Sequence, residues 1–193
     1  MHQLPPDFYD RGAAEVARDL IGCTIESRIR GVHTSGRIVE VEAYLGEDDP
    51  AAHSYGGRRT DRTEPMYGEP GTTYVYFTYG MHWCMNAVVG RAGLPSAVLI
   101  RAAEPVLGID AMMRRRKTRN LKALCSGPAK LCRALGISGG LNYHRLQEPP
   151  LEIQGPADRL VSVSAGPRIG ISRAKEWPLR FTERSSLWLS RPS

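Results

Sequence analysis

Apolar positions recur with a helical period near the start of the chain and with a period of two from Cys23 onward, which predicts one helix followed by several strands. In DRGAAEVARDLIG, Ala13, Val16, Ala17, Leu20 and Ile21 fall on one stripe, with Asp10 as N-cap and Gly22 just past the end. This reads as a packing helix. Cys23 to Arg30 and Gly36 to Tyr44 then alternate as two strands around Gly31, with His33 to Ser35 helping to make the turn. In the second strand Ile38, Glu40, Glu42 and Tyr44 share one face, and Val39, Val41 and Ala43 share the other. Two carboxylates and a ring therefore line up together.

The next periodic segment is Gly71 to Asn86. Tyr74, Tyr76 and Thr78 alternate with Val75, Phe77 and Tyr79, Gly80 breaks the pattern, and Cys84 to Val89 resumes it as a second apolar run. The expectation is a β-hairpin with aromatics on its face and tip. Five of the chain's fourteen aromatic residues lie between Tyr74 and Trp83. Flat rings on a rigid element can stack on nucleic-acid bases at roughly 1–3 kcal/mol each, and a tip residue can wedge into a duplex. Aromatic strands also pack sheet surfaces with no ligand at all, so this segment alone leaves both readings open.

Between these strands, Gly46 to Pro70 is polar and rich in Gly, Arg and Asp, and carries His53, Arg58, Arg59 and Arg62. A connection of about 25 residues is longer than most and suggests function. Beyond the hairpin, Pro95 precedes the buried-strand candidate SAVLIRA, and Pro105 opens a helix through Met113 that ends in Arg114, Arg115, Arg116 and Lys117. That basic run either caps the helix dipole or meets phosphate. Ser126, Gly127 and Pro128 start a short helix ended by Gly136, whose first amides could face a phosphate. Gly139 to Ala165 reads mainly as loops with short strands, and LRFTE and SLWLS alternate near the end. There is no internal repeat.

Composition narrows the function classes. A chain of 193 residues suits one domain, 1–193, and no apolar run approaches the length of a membrane span. The first ten residues lack a basic region followed by an apolar stretch, so the expected location is cytoplasmic, near the nucleoid in a bacterium. The net charge is +6, and 22 of the 26 basic residues are Arg. Arg forks suit phosphate oxygens, so a polyanionic partner is favoured, although a coding bias toward Arg would look the same. Cys23, Cys84, Cys125 and Cys132 have no CxxC spacing, and His53 and His82 stand alone, which argues against a metal, a cluster or a disulfide framework. No cofactor is expected.

Taken together, EVEAYLGEDDPAAHS from Glu40 to Ser54, the hairpin YVYFTYGMHWCMN, the strand VLIRAAEP and the segment CSGPAKLC resemble the alkyladenine (3-methyladenine) DNA glycosylase family. The resemblance runs from about Phe8 to the C-terminus and rests on several separated motifs. It implies an α+β fold, a single domain around a curved antiparallel sheet with flanking helices and a protruding hairpin that enters the minor groove. The implied activity is release of alkylated or deaminated purines from duplex DNA by a monofunctional enzyme.

The residues suit that chemistry. Cleaving an N-glycosidic bond passes through an oxocarbenium-like sugar, so the protein must supply a carboxylate that deprotonates water and faces the growing positive charge. Glu42 resembles the family's general base in EAYLG; Glu40 is not at the matching position. By the same resemblance Tyr44, His53 and Tyr76 sandwich the flipped base, and Asn86 crowds the amine of guanine. Tyr79 fills the gap left in the duplex, with Met81 and His82 beside it, although His82 stands where some relatives carry Tyr. Arg101 and the carbonyl of Ile169 are implied to hold the attacking water near Glu42. Arg58, Arg62 and Lys130 are candidate DNA contacts. Read singly, each has a plain alternative: a packed strand Tyr, a hydrogen-bonded loop His, a strand Asn tied to backbone, a structural ion pair.

None of the four Lys residues matches a Schiff-base nucleophile, so no lyase activity is expected. Cationic methylated purines leave without further protonation, whereas hypoxanthine or ethenoadenine needs an acid that the sequence does not identify. The rival reading from another class is a catalytically inert nucleic-acid binder using the same Arg and aromatic groups. A helix-hairpin-helix glycosylase is suggested by SGPAKLCRALG, but the Gly-rich hairpin followed by a catalytic Lys or Asp is missing. A monomer with no obligate protein partner is the simplest assumption.

Overall fold

Strand-forming segments dominate the chain, and in the computed structural model, which describes residues 2–156 and 161–191, eight of them form one open antiparallel sheet. They are β1 (Thr24–Ile29), β2 (Val32–Tyr44), β3 (Thr73–Thr78), β4 (His82–Val89) and β5 (Ser96–Leu107), then the short β6 (Leu151–Gln154), β7 (Val163–Gly166) and β8 (Arg180–Glu183). The order is β3-β4-β5-β2-β1-β6, and β8 pairs with both β2 and β7. Long β2 is central. One of its edges pairs with β5, while the other is shared between β1, up to Arg37, and β8, from Glu40.

The sheet separates two environments. Val75, Met85, Ala87, Val98 and Ile100 point to the main core, where they meet α2 (Ala13–Leu20) and α4 (Pro128–Leu135). The alternate residues Tyr74, Val88 and Ala97 pack with Met66 on the opposite face. In α2 the stripe Val16, Ala17 and Leu20 is fully buried. Pro128 opens α4 with a preset φ, and Gly136, at φ 79°, ends it in the left-handed conformation that favours glycine. A short α1 (Pro6–Tyr9) and α3 (Ile109–Arg116) complete the α+β domain.

The alternation along β2 is interrupted where it matters. Ile38 joins the core together with Val41 and Ala43, although sequence parity assigns it to the face of Glu40 and Glu42. Pairing passes from Ile38↔Ala103 to Glu40↔Ala102 and then Val41↔Ile100, leaving Val39 on β2 and Arg101 on β5 without ladder partners. An extra residue of this kind re-aims a side chain. Both irregularities sit beside the two carboxylates.

Other boundaries differ from the sequence reading. Gly12, not Asp10, precedes α2, because Asp10 already closes the turn of α1. Arg30 and Gly31 form the tight turn with φ of 55° and 73°, so His33 to Ser35 belong to β2. Pro105 lies in β5, at a register shift opposite Gly36, and α3 starts only after Gly108. SLWLS forms turns, not a strand, and Ser190 is drawn onto Glu40. The polar connection 46–70 is folded into three single-turn 3₁₀ segments, Gly46–Asp48, Tyr55–Gly57 and Glu64–Tyr67. Of the stretch read as loops, residues 157–160 lie outside the described residues, as do residue 1 of the N-terminal stretch and residues 192–193. The four cysteines are buried free thiols. No helix among the described residues is long and apolar enough to cross a membrane.

Candidate active site

Glu42 is fully buried on β2, and an ionised carboxylate can stay there only if its oxygens are matched by donors. Three are supplied. The Ile169 amide donates to Oε1 at 2.7 Å, while the Tyr44 hydroxyl at 2.9 Å and Arg101 Nη1 at 3.1 Å donate to Oε2. Sequence reasoning expected the Ile169 carbonyl to face this region; the structure brings its N–H onto the acid.

Glu40, two residues earlier, is equally buried and differently bound. Arg101 Nε donates to it at 3.0 Å, Arg180 Nε at 2.9 Å, and Ser190 through both its amide at 2.6 Å and its hydroxyl at 2.7 Å. Burial alone would raise its pKa, but the Ser190 and Arg180 hydrogen bonds and the charge of Arg101 hold it below the usual range. Glu40 is thus a saturated structural anion. Its share of Arg101 aims the guanidinium so that Nη1 meets Glu42.

The donors around Glu42 open onto a cavity of about 420 Å³, lined by Tyr44, Arg101 and Ile169 together with His53, Tyr76 and Asn86. Glu42 itself adds no surface to it. The period-two pattern of β3 puts Tyr74, Tyr76 and Thr78 on this side, and β4 and β5 contribute Cys84, Asn86, Ala97 and Leu99. Rings of His53 and Tyr76 meet edge to face with centroids 4.8 Å apart, and Tyr74 lies 5.2 Å from Tyr76. His53 Nδ1 and the Tyr74 hydroxyl are 2.8 Å apart. Loss of solvation, then the nearby charges of Arg62 and Arg58, lower the His53 pKa from 6.5 to about 4, so the ring is neutral at neutral pH. Burial pushes the phenols of Tyr44 and Tyr76 upward, which keeps both protonated. Asn86 donates from Nδ2 to the carbonyl of its cross-strand partner Tyr74 at 3.0 Å, so it has the structural bond of a strand Asn while also lining the cavity.

At the hairpin tip Tyr79, Gly80 and Met81 form a three-residue loop between Thr78 and its partner His82, with φ of 50° at Tyr79 and 66° at Gly80. Positive φ is uncommon for a bulky residue, and here it leaves Tyr79 86% exposed at the mouth of the cavity. Met81 beside it is also exposed, and His82 is half-buried opposite Thr78. Arg62 is exposed, with its guanidinium carbon 5.2 Å from the Tyr76 ring centroid. With Arg58 it borders a second hollow that reaches His53 from outside. Lys130 is exposed near the start of α4, with Nζ 3.3 Å from Ser126 Oγ, while Pro128 of the same helix reaches the cavity.

Residues 7–186 match the family described as methylpurine-DNA glycosylase. The chain belongs to that family. Its similarity to individual relatives runs nearly end to end. A protein from Bacillus cereus (strain G9842) is 48% identical, covering 98% of this chain and 99% of its own. One from Methanoculleus marisnigri is 47% identical, covering 97% and 98%. One from Rhodopseudomonas palustris (strain BisB18) is 48% identical, covering 98% and 92%. All three are provisionally named 3-methyladenine DNA glycosylase.

Sequence patterns do not single out several of the residues around this cavity. Tyr74 reads from the sequence as a strand aromatic, yet its parity with Tyr76 already puts both on one face. Asp49 and Arg168 form a fully buried pair behind Tyr44. No period links two charges so far apart in sequence. Arg180 and Ser190 reach Glu40 from the last part of the chain, through contacts that only the folded sheet reveals.

Proposed function

We propose that the chain is a monofunctional DNA glycosylase that flips alkylated or deaminated purines out of duplex DNA and hydrolyses their N-glycosidic bond. The observation that carries this reading is the ring-walled cavity placed directly against the donors of a buried carboxylate. Tyr44 takes one face of the extruded purine, and His53 and Tyr76 close the other side, offsetting an unstacking cost of a few kcal/mol. For a cationic base such as 3-methyladenine or 7-methylguanine, electron-rich rings add cation–π attraction that a normal base lacks.

A carboxylate offers about four lone-pair positions, and three on Glu42 are already used. The remaining one takes the proton of a water that attacks the sugar carbon C1′. As the bond to the base breaks, its electron pair leaves with the base, and the negative charge of Glu42 faces the developing oxocarbenium. Arg101 and the Ile169 amide hold the carboxylate in place. Tyr79 and Met81 fill the duplex from the hairpin tip, and Arg58, Arg62 and Lys130 meet phosphates. Asn86 disfavours guanine by crowding its exocyclic amine. His53, neutral at pH 7, is not a strong acid for the departing base, so cationic lesions are released faster than hypoxanthine or ethenoadenine.

The test is a product assay on duplexes that each carry one defined lesion. The expected products are free purine and an uncut strand with an abasic site, with no enzyme–DNA adduct after borohydride. Failure to release 3-methyladenine, 7-methylguanine or hypoxanthine would leave the inert nucleic-acid binder as the better reading.

A further inference from the structure

Behind the ring wall lies a charged pair with no surface of its own. Arg168 Nη2 donates to Asp49 Oδ1 at 2.8 Å and Nη1 donates to Oδ2, and both side chains are fully buried. The same Nη1 donates to the Ala43 carbonyl at 3.0 Å, one residue before Tyr44. The guanidinium carbon lies 4.8 Å from the centroid of the Tyr44 ring. The next residue, Ile169, gives its amide to Glu42. Asp49 in turn accepts the amides of Leu45 at 3.1 Å and Ala51 at 3.0 Å, which shapes the turn leading to His53.

Stability alone is a poor reason for this arrangement. Taking two ions out of water often costs as much as their attraction returns. Arg168 Nε is also buried without a hydrogen-bond partner, a further cost. Burial would raise the Asp49 pKa, yet Arg168 and the amides of Ala51 and Leu45 hold it below the usual range, so the carboxylate stays ionised. A planar fork with two parallel N–H···O bonds fixes direction as well as distance, which a Lys ammonium does not.

We propose that the Asp49–Arg168 pair is a positioning device that joins Tyr44, the Ile169 backbone and the turn before His53 into one rigid unit. The ring that stacks on the purine and the carboxylate that activates water then keep a constant separation. This rests on the glycosylase reading and assigns to that site two residues that touch neither base nor water. A displacement of about 1 Å at a catalytic group can cost about a hundredfold in rate.

The experiment uses the full chain, as wild type, Arg168→Lys, Asp49→Asn and the double variant, on a duplex with one 7-methylguanine. Active sites are titrated, then single-turnover release at saturating enzyme, lesion binding and melting temperature are measured. The expected result is a release rate per active site reduced about 30- to 100-fold in either single variant, with lesion binding changed less than about threefold. The double variant should lose no more than the worse single one, because the two residues act as a unit. Asp49→Asn keeps the side-chain volume and an acceptor for one of the two backbone amides, and carries the test if Arg168→Lys does not fold. A wild-type rate per active site in a folded variant, however far its melting temperature falls, overturns the positioning role and leaves a structural one. A wild type that releases no purine overturns this inference together with the glycosylase reading.

Discussion

Ile169 gives its backbone N–H, and not its side chain, to Glu42 Oε1 at 2.7 Å. The carboxylate is therefore held from the main chain on one oxygen and from Tyr44 and Arg101 on the other. All three donors also line the cavity, so the acid is tied by hydrogen bonds to the cavity's walls.

That relationship separates two substitutions at one position. Ile169→Ala keeps the amide and should leave the rate of base release within about threefold, whereas Ile169→Pro removes the donor. A hydrogen bond to a charged group contributes about 1.5–3 kcal/mol, so the proline variant should be slower by about 10- to 100-fold. Single-turnover rates of the two variants, normalised to folded protein, check this. Equal rates would mean that the amide contact has no part in the reaction.

Tyr79 sets function against stability. Its φ of 50° is strained for a side chain and its ring is exposed, so Tyr79→Gly should stabilise the fold by about 1 kcal/mol. On the proposed role of Tyr79 in filling the duplex, the same change should cost roughly 1–3 kcal/mol in holding the opened duplex. Denaturant melts and lesion-duplex binding should therefore move in opposite directions. A loss of stability with unchanged binding would contradict the assignment of this tip residue.

His53 carries a pH signature. Its pKa is lowered from 6.5 to about 4 in the fold, first by loss of solvation and then by Arg62 and Arg58. The unfolded chain would take up this proton near pH 6.5 and the folded one would not. The contribution of the neutral ring to stability is thus fully present above pH 6.5 and is lost as the pH falls from 6.5 toward 4. Following the His53 ring protons by NMR should show no titration between pH 7.5 and 5.5. A midpoint near 6.5 would show that the ring is not held neutral.

Much of this architecture could be read from residue patterns, and the failures have physical causes. Alternation placed Tyr74, Tyr76 and Thr78 on one face of a hairpin, and that face lines the cavity. The pair Glu40 and Glu42 was also legible, since both carboxylates share a side of β2. Strict alternation assigns Ile38 to that same side, whereas it enters the core, because a period of two has no means of showing the bulge at Val39. Pro105 looked like a helix start, although a strand can carry proline where its pairing is already irregular. Asp49 with Arg168, and Glu40 with Arg180 and Ser190, are brought together only by tertiary packing. Sequence spacing holds no trace of such contacts.

The most direct test of the account is Glu42→Gln on a duplex carrying one hypoxanthine, with base release measured under single-turnover conditions beside equilibrium binding to the same duplex. The substitution keeps the size of the side chain but cannot accept the proton of water or face the sugar with a negative charge. Base release should fall by at least about a thousandfold while binding stays within a few-fold, because the carboxylate acts in the reaction step and not in recognition. A variant that releases purine at close to the wild-type rate would show that Glu42 does not drive the reaction.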